Sequence, residues 1–235
     1  MSDEHFLDAA ILIGRILSWD AQNQSVQAYF TRSNAPRHTS LHVSKGVRST
    51  LLAIKRGFRA YAVQLDRDIR GLDLTRFDDE LRRHLQNYIQ NNHRTHNNLA
   101  GQLRRLVQFS ANRFRNAAYG NGRAEDAAAQ VDHAIDTALL ELARLCNTTP
   151  TAPVRTHACP HGVTTTYPAI HAQVHGVMGG HDDDALVAIE AYHIHKTAAP
   201  SLVRLVTTDR AHFLNNKAAL DKALAPLTIA HPDAA

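Results

Sequence analysis

The sequence predicts an α/β protein, a three-layer α/β/α arrangement around a central parallel sheet, with an all-helical insertion in the middle of the chain. Three observations carry that expectation. Short apolar segments near both ends of the chain stop on a carboxylate. Amphipathic segments of helix length alternate with them, as they do in doubly wound sheets. Between the two α/β regions lies a long stretch whose apolar residues recur only at helical spacing.

Taken in order, His5-Phe6-Leu7-Asp8 reads as a buried strand ending on an acid, and Ile11, Leu12, Ile16 and Trp19 give the helix that follows. Asn23 to Arg32 reads as a second helix, broken at Ser33-Asn34-Ala35-Pro36. His38 to Val43 is the next strand, and Ser44 is placed to cap a helix through Val47, Leu51, Ile54 and Phe58 towards Leu65. Residues 66–158 form the expected helical insertion, with Leu81, Leu85 and Ile89 on one stripe and Val131, Ile135, Leu139, Leu142 and Leu145 on another. Core residues 1–65 and 159–235 then make one domain. In its last part Pro168 to Val177 is strand-compatible, Asp182-Asp183-Asp184 opens a helix running to Ala198, and Leu202 to Thr207 is a continuous apolar run of the buried parallel type. Leu214 to Leu224 closes the chain as a helix.

Composition excludes several classes. With 235 residues, 44% hydrophobic and 20% charged, the chain is long enough for a substantial core and too apolar for disorder. No apolar run approaches the length of a membrane span, and Asp3, Glu4 and Asp8 sit where a leader peptide would be basic. Cys146 and Cys159 are too few for a disulfide framework. A reduced, cytoplasmic protein with no membrane partner is the expectation. The charge order says more than the net charge of +4. No acid occurs from Ala21 to Leu65, nor from Leu81 to Ala124, where Arg82, Arg83, Arg94, Arg104, Arg105, Arg113, Arg115 and Arg123 stand without a lysine. Arginine forks onto phosphate, and neutralising a polyanion releases counterions, so the tracts point to RNA as partner.

Asp8, Asp184 and Asp209 follow strands or open a helix, which in a parallel sheet places them on one edge. Gathered carboxylates need a cation to stay ionised, and oxygen ligands with open water positions suit Mg²⁺ or Mn²⁺. Asp182 and Asp183 are further candidate ligands, and Thr207, Thr208 and Arg210 candidate substrate contacts. Each Asp also has an ordinary reading, as helix cap, dipole partner or turn residue. His157, Cys159, His161, His171 and His175 form a zinc-like cluster whose spacing matches no standard finger. Neither a glycine-rich phosphate loop nor a cysteine or serine triad is indicated.

Phe6-Leu7-Asp8-Ala9-Ala10-Ile11-Leu12-Ile13-Gly14, the helix start Asp184-Ala185-Leu186-Val187-Ala188-Ile189-Glu190-Ala191, and Leu205-Val206-Thr207-Thr208-Asp209-Arg210-Ala211-His212-Phe213 together resemble PIN domains. These are ribonucleases found among toxin–antitoxin toxins and RNA-processing enzymes. The resemblance spans residues 1–60 and about 165–230 and implies a PIN-like fold. It also implies a divalent-metal endoribonuclease with Asp8, Asp184 and Asp209 as catalytic ligands. Associations with an antitoxin, with another protein or with a second copy of the chain as a homodimer are within its scope. In one place the pattern departs. The family's acid in the helix after the second strand is replaced by Lys45-Gly46. A catalytically weak or inactive PIN-like module that binds RNA or protein is the alternative. On either reading Arg104, Arg105, Arg113 and Arg115 are the expected grip on RNA.

Overall fold

The computed structural model describes residues 3–92 and 99–235; Arg94 of the second basic tract lies outside them. The chain divides into two compact units, Met1–Arg48 with Leu140–Ala235, and Ser49–Leu139.

Among the described residues of the first unit, strands β1 (Glu4–Leu7), β2 (Arg37–Ser40), β3 (Cys146–Asn147), β4 (Val154–His157), β5 (Leu202–Val206) and β6 (Thr228–Ala230) form one parallel sheet. Its order is β3-β4-β2-β1-β5-β6. Phe6, Leu7, Leu202, Leu205 and Val206 are fully buried, as strands covered on both faces must be. The chain moves from β1 to β2 through α1 (Ala9–Ile16) and α2 (Asn23–Arg32). After β4 it returns to the other side of β1 through α8 (Val163–Thr166), α9 (Pro168–Val177) and α10 (Asp182–Thr197). Right-handed crossovers in opposite directions put the connecting helices on opposite faces, so β1 and β5 flank a topological switch point. Helices α1 and α2 pack closely because position 14 is glycine: a Cβ there would lie 3.0 Å from Val26 Cγ2.

Helix α3 (Leu41–Asp68) starts directly from β2. Its buried stripe is Val43, Val47, Leu51, Ile54, Phe58, Tyr61 and Leu65, spaced by three and four. The expected cap at Ser44 is corrected. Ser40 Oγ accepts from Val43 N at 3.0 Å, because the strand ends three residues earlier than its apolar content suggests. The same hydroxyl donates to Glu190 Oε2 of α10 at 2.6 Å, tying that helix to the end of β2.

The second unit is helical: the continuation of α3, then α4 (Phe77–Asn91), α5 (Ala100–Phe109), α6 (Ala111–Ala118) and most of α7 (Ala124–Leu145). Phe58, Tyr61, Tyr88 and Phe114 cluster at its centre, with ring centroids 5.3 to 6.5 Å apart. α11 (Lys217–Ala223) follows β5 in the first unit.

Other expectations also change. Pro168 to Val177 is helix α9, not a strand: Pro168 occupies the first turn, where its missing N–H costs nothing. Strands β3 and β4 fall inside the segment 66–158 expected to be all-helical. In β4 the buried residues Val154 and Thr156 alternate with the more accessible Arg155 and His157, a pattern four residues long and hidden among Thr and Pro. The final helix starts at Lys217 rather than Leu214, and β6 had no recognisable signal in its three residues.

Ser40→Ala should remove a cap worth about 1 kcal/mol and leave the buried Glu190 carboxyl without its donor, at about 1–3 kcal/mol. Urea unfolding is expected to show a combined loss of about 2–4 kcal/mol, and Ser40→Thr, which keeps the hydroxyl, a much smaller one.

Candidate functional site

The geometry of the site follows from the pairing of β1 with β5. Phe6 lies beside Leu205 and Leu7 beside Val206, so the next residues, Asp8 and Thr207, leave the sheet together. Thr207 Oγ1 donates to Asp8 Oδ2 at 2.7 Å and accepts from Asp209 N at 3.0 Å. The threonine hydroxyl therefore orients both acids, and its side chain is fully buried. Asp8 is also the N-cap of α1, its Oδ1 accepting from Ala9 N at 2.5 Å. Thr208 is half-buried and Arg210 exposed at the start of the turn after β5.

That turn, Arg210–Leu214, is π-helical, a wide geometry that recurs at functional sites. It folds His212 back onto Asp209: the His212 backbone N donates to Asp209 Oδ1 at 3.2 Å. The His212 Nδ1 lies 3.1 Å from Asp209 Oδ2 and 2.9 Å from Asp184 Oδ2. Asp184, from the first turn of α10, thus meets Asp209 across one imidazole nitrogen. His181, the residue before α10, completes the group, with its ring centroid 3.9 Å from that of His212.

Burial drives the electrostatics. Asp8 is withdrawn from water, and its carboxyl is pushed up to about 6; Thr207 and Ala9 oppose the rise, and Asp184 and Asp209 add to it. Asp184 is also raised, chiefly by burial, against the pull of His212. Carboxylates held in this way gain from a cation beside them. Among the described residues the group with ligand atoms all within 4.8 Å is His181, Asp184 and His212. Asp8 and Asp209 adjoin it, Asp209 through His212 and Asp8 through Thr207. The donors present, carboxylate oxygens and imidazole nitrogens around one point, fit a divalent ion.

Asp182 and Asp183 are not brought into this cluster. Asp182 Oδ1 pairs with His175 Nε2 at 3.0 Å, and both acids line a separate cleft of about 500 Å³ with His42, Lys45, Cys159, His161, His171 and Glu190. Of the two residues standing in place of the family acid, Lys45 lines this cleft, whereas a Cβ at Gly46 would meet nothing. Of the zinc-like set, Cys159, His161 and His171 share this cleft and His175 pairs with Asp182, but among the described residues they form no group with all ligand atoms within 4.8 Å. His157 Nε2 bonds His38 Nδ1 at 2.8 Å across β4 and β2, and burial pushes both imidazoles down to about 4. Cys146 and Cys159 are free thiols, pushed up to about 12 by burial.

The expected RNA-contacting arginines belong to the other unit. Arg104 lines a cleft of about 710 Å³ with Arg82, Arg83 and Asp78, and its guanidinium donates to Gln86 at 3.2 Å. Arg115 is paired with Asp78 at 2.7 Å, and Arg113 is exposed on the same helix, α6. Arg105 is half-buried on α5. The histidines His181 and His212 were not among the residues singled out by sequence. The one available signal was His212 three residues after Asp209, the spacing of a single turn. No family model matches the chain, and comparison with curated proteins and with solved structures likewise finds no match.

An Asp whose folded pKa stands above its unfolded value weakens the fold as pH rises between the two, from about 4 to about 6, and the full cost persists above that window. At roughly 1.4 kcal/mol per pKa unit the cost is about 3 kcal/mol when no cation is bound. In chelator, the stability of Asp8→Asn relative to wild type should therefore increase from pH 4 to pH 6 and then level off, as read by urea unfolding at each pH. A difference that stays flat with pH would mean that Asp8 is not desolvated.

Proposed function

We propose that this protein is a divalent-metal-dependent nuclease of PIN type that hydrolyses RNA phosphodiesters, with Asp8, Asp184 and Asp209 as the acids on which activity depends. The observation that carries this reading is the meeting of three carboxylates from distant parts of the chain at the carboxyl edge of a parallel sheet, beside its switch point. A bound Mg²⁺ or Mn²⁺ there supplies an activated water and neutralises charge developing on the phosphoryl oxygens.

Each residue has a part to play in that chemistry. Asp184 and Asp209, both within 3.1 Å of His212 Nδ1, would hold the ion. Asp8, locked by Thr207 and Ala9, keeps its carboxylate aimed at the same edge. Arg210 stands exposed at the rim, where a guanidinium can fork onto a backbone phosphate. The arginines around the 710 Å³ cleft of the helical unit supply a further attraction for polyanion.

One observation favours the alternative of a weakly active or inactive binding module. The acid expected in α3 is replaced by a cation, Lys45, on a cleft lined by Asp182 and Asp183. Cleavage of a mixed RNA pool in Mn²⁺ tests the choice. Wild type should cut, slowly, and Asp209→Asn should lower the rate by more than about 100-fold, because several kcal/mol of charge stabilisation depend on the ligand set. RNA bound in a salt-dependent way but never cut would establish the binding module instead.

A further inference from the structure

We propose that His181, Asp184 and His212, adjoined by Asp209, bind a borderline first-row divalent ion, Zn²⁺ or Co²⁺, in preference to Mg²⁺. This deepens the hydrolytic reading and rests on the same cluster, but it concerns which ion the chain selects and which side chains select it.

Geometry makes the first case. His181 and Asp184 are three residues apart at the start of one helix, so they share a face. His212 reaches the same point from the turn after β5, and the ligand atoms of the three lie within 4.8 Å of one another. Asp209 Oδ2, 3.1 Å from the same His212 nitrogen, adjoins this group of three without belonging to it. Two elements converging from different parts of the chain give a three-dimensional site rather than a run of neighbours.

Local structure makes the second. His181 sits at the cap position with extended backbone, φ −81° and ψ 98°, yet its side chain makes no cap hydrogen bond. A serine, threonine or aspartate would do that work better. Its ring lies instead against His212, 3.9 Å between centroids and tilted by 44°. His212 is held in place from both sides: its own N–H donates to Asp209, its carbonyl accepts from Asn216 Nδ2 at 2.9 Å, and the next residue, Phe213, is fully buried. Ligands anchored in this way are oriented before an ion arrives.

Ligand chemistry makes the third. Mg²⁺ prefers oxygen ligands and retains its waters, whereas imidazole nitrogen suits Zn²⁺ and its neighbours. A set of two imidazoles and one carboxylate leaves an open position for water, as hydrolytic sites require. An all-carboxylate site would carry no such preference.

The test is a competition titration against a chelating indicator, with the visible absorption of bound Co²⁺ as a second readout, on the full chain at neutral pH. Wild type should take up one Co²⁺ or Zn²⁺ that equimolar Mg²⁺ does not displace. His181→Ala changes an exposed residue, and it should weaken Co²⁺ and Zn²⁺ by about tenfold or more, as should His212→Gln. His171→Ala with His175→Ala, a neighbouring imidazole pair at 5.7 Å, should leave the affinity unchanged. Circular dichroism melting checks that each variant is folded. Co²⁺ affinity unaltered by both His181→Ala and His212→Gln, or Mg²⁺ that displaces Co²⁺ at equal concentration, overturns the proposal. If Asp209→Asn alone abolishes binding, the ion sits on carboxylates only: the selectivity proposal falls and the hydrolytic reading stands. If the histidines bind Co²⁺ as proposed and no ion supports RNA cleavage, the hydrolytic reading falls and this one stands.

Discussion

The hydrogen bond from Thr207 to Asp8 is the contact on which the candidate site depends. It exists because β1 and β5 are parallel neighbours in a register that brings the two residues out of the sheet side by side. From it follows the orientation of Asp209, whose N–H the same hydroxyl accepts, and it opposes the rise that burial imposes on the Asp8 carboxyl. A desolvated acid beside two further acids is unstable in isolation. The fold tolerates the arrangement by placing the His212 imidazole between Asp184 and Asp209 and by capping α1 with Asp8 itself. The ordinary and the chemical readings of Asp8 are therefore both true of one residue.

Much of this edge was legible in the amino-acid sequence because it is built from local signals. An apolar run ending on Asp8, an acidic helix start at Asp182-Asp183-Asp184 and the run Leu202 to Thr207 each announce their element, and all lie where expected. What stayed hidden depends on long-range geometry. His181 and His212 are ordinary residues in a chain with 16 His until a π-helical turn brings one ring onto the other. The helix at Pro168 to Val177 misleads because its Ile, Val and Ala content suits either state, and only proline at the first turn decides for helix. Ser40, not Ser44, caps α3, since tertiary contact with Glu190 ends the strand early.

Charge order along the chain also reads differently in three dimensions. The tracts without acids look like uninterrupted basic surface in one dimension. In the helical unit their members meet acids from either side of the tracts: Lys55 with Asp136 at 2.7 Å, Arg59 with Asp132, Arg115 with Asp78, and Arg123 with Asp66 and Glu125. Part of the apparent polyanion signal is thus structural. The exposed pairs among these, Arg115 with Asp78 and Arg123 with Glu125, contribute at most about 1 kcal/mol each and leave their guanidinium groups open to phosphate, so the pairing moderates the attraction without abolishing it. Among the described residues no helix is long and apolar enough to cross a membrane.

The most direct test of the account is to locate a divalent ion. Crystals of the protein grown or soaked in Mn²⁺ and measured for anomalous scattering at the manganese edge should show a peak within coordination distance of Asp184 and Asp209, adjoining Asp8, with the His212 ring turned towards the ion. Binding confined to other surfaces, with the carboxyl edge of β1 and β5 left without density at saturating Mn²⁺, would contradict it.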